Sequence, residues 1–359
     1  MPNLSVMIKP ASSNCNLRCE YCFYHALARA RACFDYGVMS RETTEQTVRK
    51  ALEYAAGGDV YFVFQGGEPL LAGLEYFETF TECVARYNTD NCKICYSLQT
   101  NGTLVDRTWT AFFVEHGFLI GLSLDGDFDA NRYRVDAAGR NAHPDILRAA
   151  QYLTDGGVPF NIVVVATGYV ARHAERVYRY LTAECGFRYL QFIPCLRPSG
   201  DDREDEMYMT VDAYGDFLIR LFRLYIADWM AGRYVSVRLF DNWVRLRRGQ
   251  GYEQCGVSGR CARQFVIEAG GNVYPCDFYC LDEWLLGNIC DSDFAELANS
   301  ENAVRFARTA PSAPPHCRAC EYYPICRAGG CRRYREDRDY CAAYKRFFAA
   351  SMPLFDALG

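Results

Sequence analysis

The sequence predicts an α/β chain: a partial (β/α)6 barrel of the TIM type followed by a cysteine-rich C-terminal region. Strand and helix patterns alternate through the first 195 residues. The strand segments are apolar throughout, as in a parallel sheet covered on both faces. After Gln254 the alternation gives way to closely spaced cysteines and turns.

The elements follow in order. "LSVMIKP" reads as the first strand, and "SRETTEQTVRKALEYAA" as a helix capped by Ser40. "DVYFVFQ" is a strand and "LEYFETFTECVARY" a helix; "KICYSLQ" is a strand and "DRTWTAFFVEH" a helix opening on Asp106. "FLIGLSLD", "PFNIVVVAT" and "FRYLQFIPC" complete the strands, separated by the helices "HPDILRAAQYLTDGG" and "RHAERVYRYLTAEC". Short loops and right-handed crossovers favour a barrel lacking two of the usual eight units, with an open doubly wound sheet as the alternative. A surface loop from Pro198, a helix near Val211–Met230 and a terminal helix are also expected. The expected domains are 1–235, the barrel; 236–341, the cysteine-rich domain; and 342–359, the terminal helix. Ligands of such folds gather beyond the C-terminal strand ends, where the cysteine loop, "QGGEP", "QTNG" and "SLDG" fall.

Half of the 359 residues are hydrophobic, enough for a sizeable core, and the net charge is −5. That charge argues against nucleic acid as a partner. No run of 18 apolar residues suggests a membrane span, and "MPNLSVMIKPASS" lacks signal-peptide features. A cytoplasmic protein is expected, so the 19 cysteines read as reduced thiols and their clusters as metal ligands. Scattered ones (Cys33, Cys83, Cys92, Cys95, Cys185, Cys195, Cys280, Cys290) read as small buried hydrophobes.

Cys15, Cys19 and Cys22 lie in "CNLRCEYC" directly after the first strand. A structural zinc site takes four ligands, which here would need a distant cysteine or His25. A 4Fe–4S cluster on three thiols instead keeps one iron open for chemistry. The C-x3-C-x2-C loop at this position resembles the radical S-adenosylmethionine superfamily. The resemblance implies that the open iron binds the cofactor's methionine and that Tyr21 packs near the adenine. It also implies that Gly66, Gly67 and Glu68 of "GGEP" form the methionine-binding segment. Ser123 and Asp125 would lie near the ribose and methionine groups, and Arg134 would meet the carboxylate.

The second cluster reads Cys255-x5-Cys261-x9-Gly271-x4-Cys276, then Cys317-x2-Cys320-x5-Cys326-x4-Cys331 and Cys341. Eight thiols suit two 4Fe–4S clusters or two zinc ribbons. The pattern resembles the SPASM extension of radical enzymes that modify peptides. By that resemblance Cys255, Cys261, Cys276 and Cys331 hold one auxiliary cluster, and Cys317, Cys320, Cys326 and Cys341 the other. The family usually places three residues before the fourth cysteine of the run; "RAGG" places four.

Over nearly the whole chain the sequence resembles the anaerobic sulfatase-maturating enzymes, through "IKPASSNCNLRCEYCFYH", "FQGGEPLLAGLEYF", "SLQTNGTL", "GLSLDG", "LQFIPC", "YPCDFYCLDEWLLGNI" and "GGCRR". The resemblance implies oxidation of a cysteine or serine of a sulfatase to Cα-formylglycine, with a 5′-deoxyadenosyl radical taking a Cβ hydrogen. Asp277 matches the proposed base; desolvation against a cluster would raise its pKa and suit it to accept a proton. Tyr24 would assist deprotonation or orient substrate, and Gln65 would bind the peptide backbone. The implied cofactors are S-adenosylmethionine and three 4Fe–4S clusters. The implied partners are an unfolded or nascent sulfatase and an electron donor such as flavodoxin or ferredoxin. Two alternatives stand beside this reading: another SPASM-type maturase forming thioether or carbon–carbon crosslinks, and a non-catalytic zinc protein.

Overall fold

The computed structural model describes residues 3–198, 205–261, 264–309 and 313–358. In chain order its first elements are β1 (Leu4–Lys9), α1 (Phe23–Arg29), α2 (Arg41–Ala55), β2 (Asp59–Phe64), α3 (Leu74–Tyr87), β3 (Lys93–Thr100), α4 (Arg107–Glu115) and β4 (Phe118–Ser123). Then follow α5 (His143–Asp155), β5 (Phe160–Ala166), α6 (Gly168–Arg172), α7 (Ala174–Arg179), β6 (Tyr189–Pro194), α8 (Val211–Met230), β7 (Ser236–Val237) and α9 (Arg238–Arg247). The remainder is β8 (Phe265–Glu268), β9 (Asn272–Tyr274), β10 (Gly287–Asn288), α10 (Phe294–Asn299), α11 (Glu301–Thr309), α12 (Tyr323–Cys326), α13 (Arg332–Asp337) and α14 (Cys341–Ala357). Among the described residues no helix is long and apolar enough to cross a membrane.

Two compact units interleave along the chain. The first is Met1–Ser123, Arg134–Phe160 and Arg263–Thr309; the second is Leu124–Tyr133, Asn161–Ala262 and Ala310–Gly359. Long-range strand pairing explains the interleaving of the first unit. β8, far along the sequence, lies parallel to β1 and sets Lys9 beside Glu268.

In the first unit the strand order is β10-β9-β8-β1-β2-β3-β4. β8 and β1 to β4 run parallel, and β9 and β10 return antiparallel. The expected caps form: Ser40 accepts from the Thr43 N–H and Asp106 from the Trp109 N–H, each satisfying an orphan donor. Phe62, Phe64, Phe77, Phe80 and Phe118 are fully buried between strands and helices. Their rings meet edge-on, with Phe64 at 5.0 Å from Phe77 and 4.9 Å from Phe80, a geometry that adds to simple area burial.

In the second unit β5, β6 and β7 are parallel neighbours. The helix expected over residues 172–185 forms as α7 and a wider turn over Tyr180–Glu184, and the short α6 precedes it across His173 (φ −113°, ψ 29°). Helix α8 opens on Thr210, whose hydroxyl accepts from the Ala213 N–H, and packs along α14. Phe222 lies 4.5 Å from Phe355 and 5.5 Å from Phe347 at that contact.

Candidate active site and cysteine pockets

The three-cysteine loop leaves β1 and is stitched to its surroundings by backbone. The Arg18 N–H donates to Val135 O (2.6 Å), and the Cys22 N–H closes a turn on Cys19 O (3.1 Å) before α1 begins. Asn101, in the loop after β3, donates from Nδ2 to Asn16 Oδ1 (2.9 Å) and toward Cys15 Sγ (3.7 Å). The Leu17 N–H also points at Cys15 Sγ, at 3.4 Å. Burial pushes the Cys15 thiol up to about 11, and the Glu68 charge adds to it. A bound metal reverses this, because a coordinating thiol is deprotonated outright. N–H groups aimed at the sulfur then stabilise the thiolate, so this donor set fits an iron–sulfur cluster. Among the described residues no three His, Cys, Asp or Glu side chains converge closely enough to hold a metal ion. His25, the alternative zinc ligand, packs edge-on against Phe34 at 5.5 Å.

The "GGE" loop after β2 lies directly against the cysteine loop. The Gly67 N–H donates to Ser12 O (2.9 Å) and the Glu68 N–H to Asn14 O (2.6 Å). A Cβ on Gly67 would sit 2.0 Å from Asn14 O, and Gly66 holds φ +135°. The glycines therefore serve the close approach of two loops. Gly67→Ala is expected to displace the cysteine loop and destabilise the protein by about 1–3 kcal/mol, read by anaerobic chemical denaturation. Glu68 is fully engaged. Its carboxylate accepts from the Leu70 N–H (3.1 Å), the Thr100 hydroxyl (2.8 Å) and the Asn101 N–H (2.8 Å). Burial pushes its pKa up to about 7 against the pull of those donors. Glu68 thus positions the loops after β2 and β3, and any contact of this segment with a ligand falls to the backbone.

Tyr21 and Arg134 meet beside the same loop, the guanidinium 5.4 Å from the ring centroid, and Arg134 is buried. Ser123, ending β4, accepts from Gln99 Nε2 (2.9 Å). Asp125 lies in the second unit, wholly buried, and its Oδ1 accepts from the Val165 N–H (2.8 Å). Its placement is that of a residue fastening its own loop to β5.

Asp277 follows β9 and Cys276. It is brought to the cysteine loop by Phe278, whose ring lies 4.8 Å from that of Phe23, the residue after Cys22. Lys9 Nζ donates to Asp277 Oδ1 (2.5 Å) and Gln65 Nε2 to Oδ2 (2.9 Å). Both partners are donors, so the group is bound as a carboxylate. Gln65, expected at the peptide backbone, gives an amide hydrogen to Asp277 instead. Burial pulls the Lys9 pKa down, but Asp277 first, then Cys280 and Glu268, outweigh it and leave it raised. The ammonium also lies 3.7 Å from the centroid of the Tyr24 ring, a cation–π contact. Tyr24 donates its hydroxyl proton to Glu268 Oε1 (2.5 Å), and Arg31 Nη1 donates to the same oxygen (2.5 Å). Burial and the Glu268 charge hold the Tyr24 phenol well above its ordinary pKa, so it is neutral and acts as a donor.

The sequence reading missed Lys9, Arg31 and Glu268. A lysine ending an otherwise apolar strand was the signal available for the first. Removing one member of a buried ion pair leaves the other uncompensated. Lys9→Met is therefore expected to destabilise the fold by about 3–5 kcal/mol in equilibrium denaturation.

The second unit holds the other thiols. Cys317, Cys320, Cys326 and Cys341 all line one cavity of about 300 Å³. The guanidinium of Arg335, also on its wall, has Nε, Nη1 and Nη2 buried and, among the described residues, without a hydrogen-bond partner. Four thiols lining one cavity beside an uncompensated buried cation fit a bound anionic iron–sulfur cluster. Burial pushes the Cys326 thiol up to about 12, with Cys341, Cys317 and Cys320 adding to the shift. Cys255, Cys261 and Cys331 form a second group in this unit. Burial pushes the Cys331 thiol up to about 11, and Cys255 and Cys261 add to it. Cys276 belongs to the first unit. The extra residue of "RAGG" is absorbed by a run of left-handed residues: Arg327 (φ 48°), Ala328 (58°), Gly329 (77°) and Gly330 (73°). A Cβ on Gly330 would meet Gly256 O at 1.8 Å, so this turn presses directly onto the Cys255 segment.

Comparison with known proteins agrees with these features. The radical SAM superfamily model matches residues 10–181, and an iron-sulfur cluster-binding domain model, SPASM, matches 255–321. A cysteine-type anaerobic sulfatase-maturating enzyme of Clostridium perfringens is 42% identical over 98% of this chain and 97% of its own. A serine-type enzyme of Klebsiella aerogenes is 32% identical over 96% of this chain and 84% of its own. The solved structure of native anSMEcpe with bound AdoMet and Cp18Cys peptide superposes with a TM-score of 0.94 at 40% identity, covering 99% of each chain. The partial barrel with a SPASM domain is therefore the fold, and the chain belongs to the anaerobic sulfatase-maturating enzymes of the radical SAM superfamily.

Proposed function

We propose that this chain oxidises a cysteine of a sulfatase polypeptide to Cα-formylglycine. The observation that carries the reading is the joining, in one unit, of the three-cysteine loop to Asp277 through Phe23 and Phe278, with Lys9 and Gln65 on the carboxylate. The greater likeness to the cysteine-type than to the serine-type enzyme supports cysteine as the preferred residue.

When bound, S-adenosylmethionine and the clusters supply removal of a Cβ hydrogen atom and uptake of the remaining electron. Cys15, Cys19 and Cys22 would hold the first cluster. Cys255, Cys261 and Cys331 would hold the second, and Cys317, Cys320, Cys326 and Cys341 the third. The backbone of Gly66 and Gly67, with Arg134, Tyr21 and Ser123, would hold the cofactor. Asp277 accepts the substrate S–H proton, and Lys9 and Gln65 fix its orientation. Loss of a Cβ hydrogen atom, that proton and one electron leaves C=S, which water converts to the aldehyde and hydrogen sulfide. Tyr24, neutral and bonded to Glu268, anchors Lys9 rather than taking a proton.

The partner is an unfolded or nascent sulfatase, with flavodoxin or ferredoxin as electron source. A reducing cytoplasm would keep the cysteine thiols available as cluster ligands. Anaerobic incubation with S-adenosylmethionine, a reductant and sulfatase-motif peptides tests the reading by mass spectrometry. The cysteine peptide is expected to lose its thiol, gain an aldehyde and react faster than its serine counterpart. A cysteine peptide that loses only two hydrogens and keeps its sulfur would point to crosslinking instead.

A further inference from the structure

Helix α13 carries Arg332, Arg333 and Arg335, and the first two meet acidic partners. Arg332 Nε donates to Glu336 (2.7 Å), and Arg333 pairs with Asp337 at 3.8 Å. Arg335 differs: all three of its nitrogens are buried and, among the described residues, without a hydrogen-bond partner, on the wall of the four-cysteine cavity. A buried guanidinium left so is costly unless something in the cavity compensates it. Arg335 lies near enough to Cys317, and to Cys261 of the neighbouring thiol group, for its charge to act on both. Lys345 also lines the cavity, but it is exposed, where water and salt screen it. Arg338, Glu336 and Asp339 complete the charged lining, and Glu336 already answers Arg332.

We propose that Arg335 sets the reduction potential of the cluster held by Cys317, Cys320, Cys326 and Cys341, raising it so that this cluster accepts an electron. A cluster gains negative charge on reduction, so a desolvated cation beside it stabilises the reduced form more than the oxidised one. Hydrogen bonds from the guanidinium to cluster or cysteine sulfur act in the same direction. The electron accepted is the one the substrate loses after its Cβ hydrogen and its proton. The inference rests on the assignment of a cluster to this cavity.

The test is a redox titration followed by electron paramagnetic resonance. It uses the full chain, reconstituted anaerobically in the C15A/C19A/C22A background so that only auxiliary clusters contribute. R335Q is expected to lower the reduced-to-oxidised ratio at fixed potential about tenfold, a shift of ~59 mV for one electron, with iron content unchanged. R335K keeps the charge and is expected to titrate near the parent. Superimposable titrations of R335Q and parent overturn the proposal, as does an R335K shift as large as that of R335Q. If R335Q loses iron, R335K decides: iron kept at the parent potential supports the proposal. Loss of iron in both variants makes Arg335 an assembly residue and overturns it. A C317A/C326A variant that keeps the full auxiliary iron would instead remove the cluster assignment itself.

Discussion

Replacing Cys15, Cys19 and Cys22 together by alanine is expected to abolish cleavage of S-adenosylmethionine while about eight of about twelve irons remain bound, the content of two clusters out of three. The loop should survive the change. Its ties to neighbouring segments run through backbone and through side chains other than the cysteines: Arg18 to Val135, Gly67 to Ser12, Glu68 to Asn14 and Asn16 to Thr103. What the variant loses is the sulfur at which Leu17 and Asn101 aim their N–H groups. Full production of 5′-deoxyadenosine by this variant would refute the placement of the first cluster. Loss of all iron would show that the auxiliary pockets depend on it for assembly.

Asp277→Asn is expected to keep cofactor cleavage within a few-fold and to lower aldehyde formation by about 10²–10⁴, the usual contribution of a positioned general base. The amide oxygen can still accept from Lys9, and the Gln65 side chain can turn its own oxygen toward the new N–H₂. The site therefore keeps its hydrogen bonds but loses the negative charge that receives the proton and balances Lys9. Iron content and deoxyadenosine yield serve as controls, since both report an intact cofactor site. An unchanged aldehyde yield would remove Asp277 from the role of base.

The barrel was legible because its signals are local. Ser40 and Asp106 mark helix starts, and apolar runs such as "DVYFVF" mark buried strands, and the structure realises each. The short strands β8, β9 and β10 were not legible, because four, three and two residues carry too little periodicity. That gap hid the Lys9–Glu268 register, which joins residues 259 positions apart and builds the charged floor under Tyr24 and Asp277. Asp277 could be picked out from its position after Cys276, whereas its ion pair with Lys9 required the fold. The glycines of "GGEP" could be picked out as a close-approach site. Only the structure gives their neighbour as Asn14 of the cysteine loop. The extra residue of "RAGG" looked like a departure from the family pattern; four successive left-handed residues accommodate it.

The most direct measurement uses a sulfatase-motif peptide carrying deuterium at the cysteine Cβ, incubated anaerobically with the reconstituted enzyme and S-adenosylmethionine. The account predicts deuterium in the 5′-deoxyadenosine and an aldehyde in the peptide, in equal amounts. Unlabelled 5′-deoxyadenosine, or a peptide that keeps its sulfur, would contradict it.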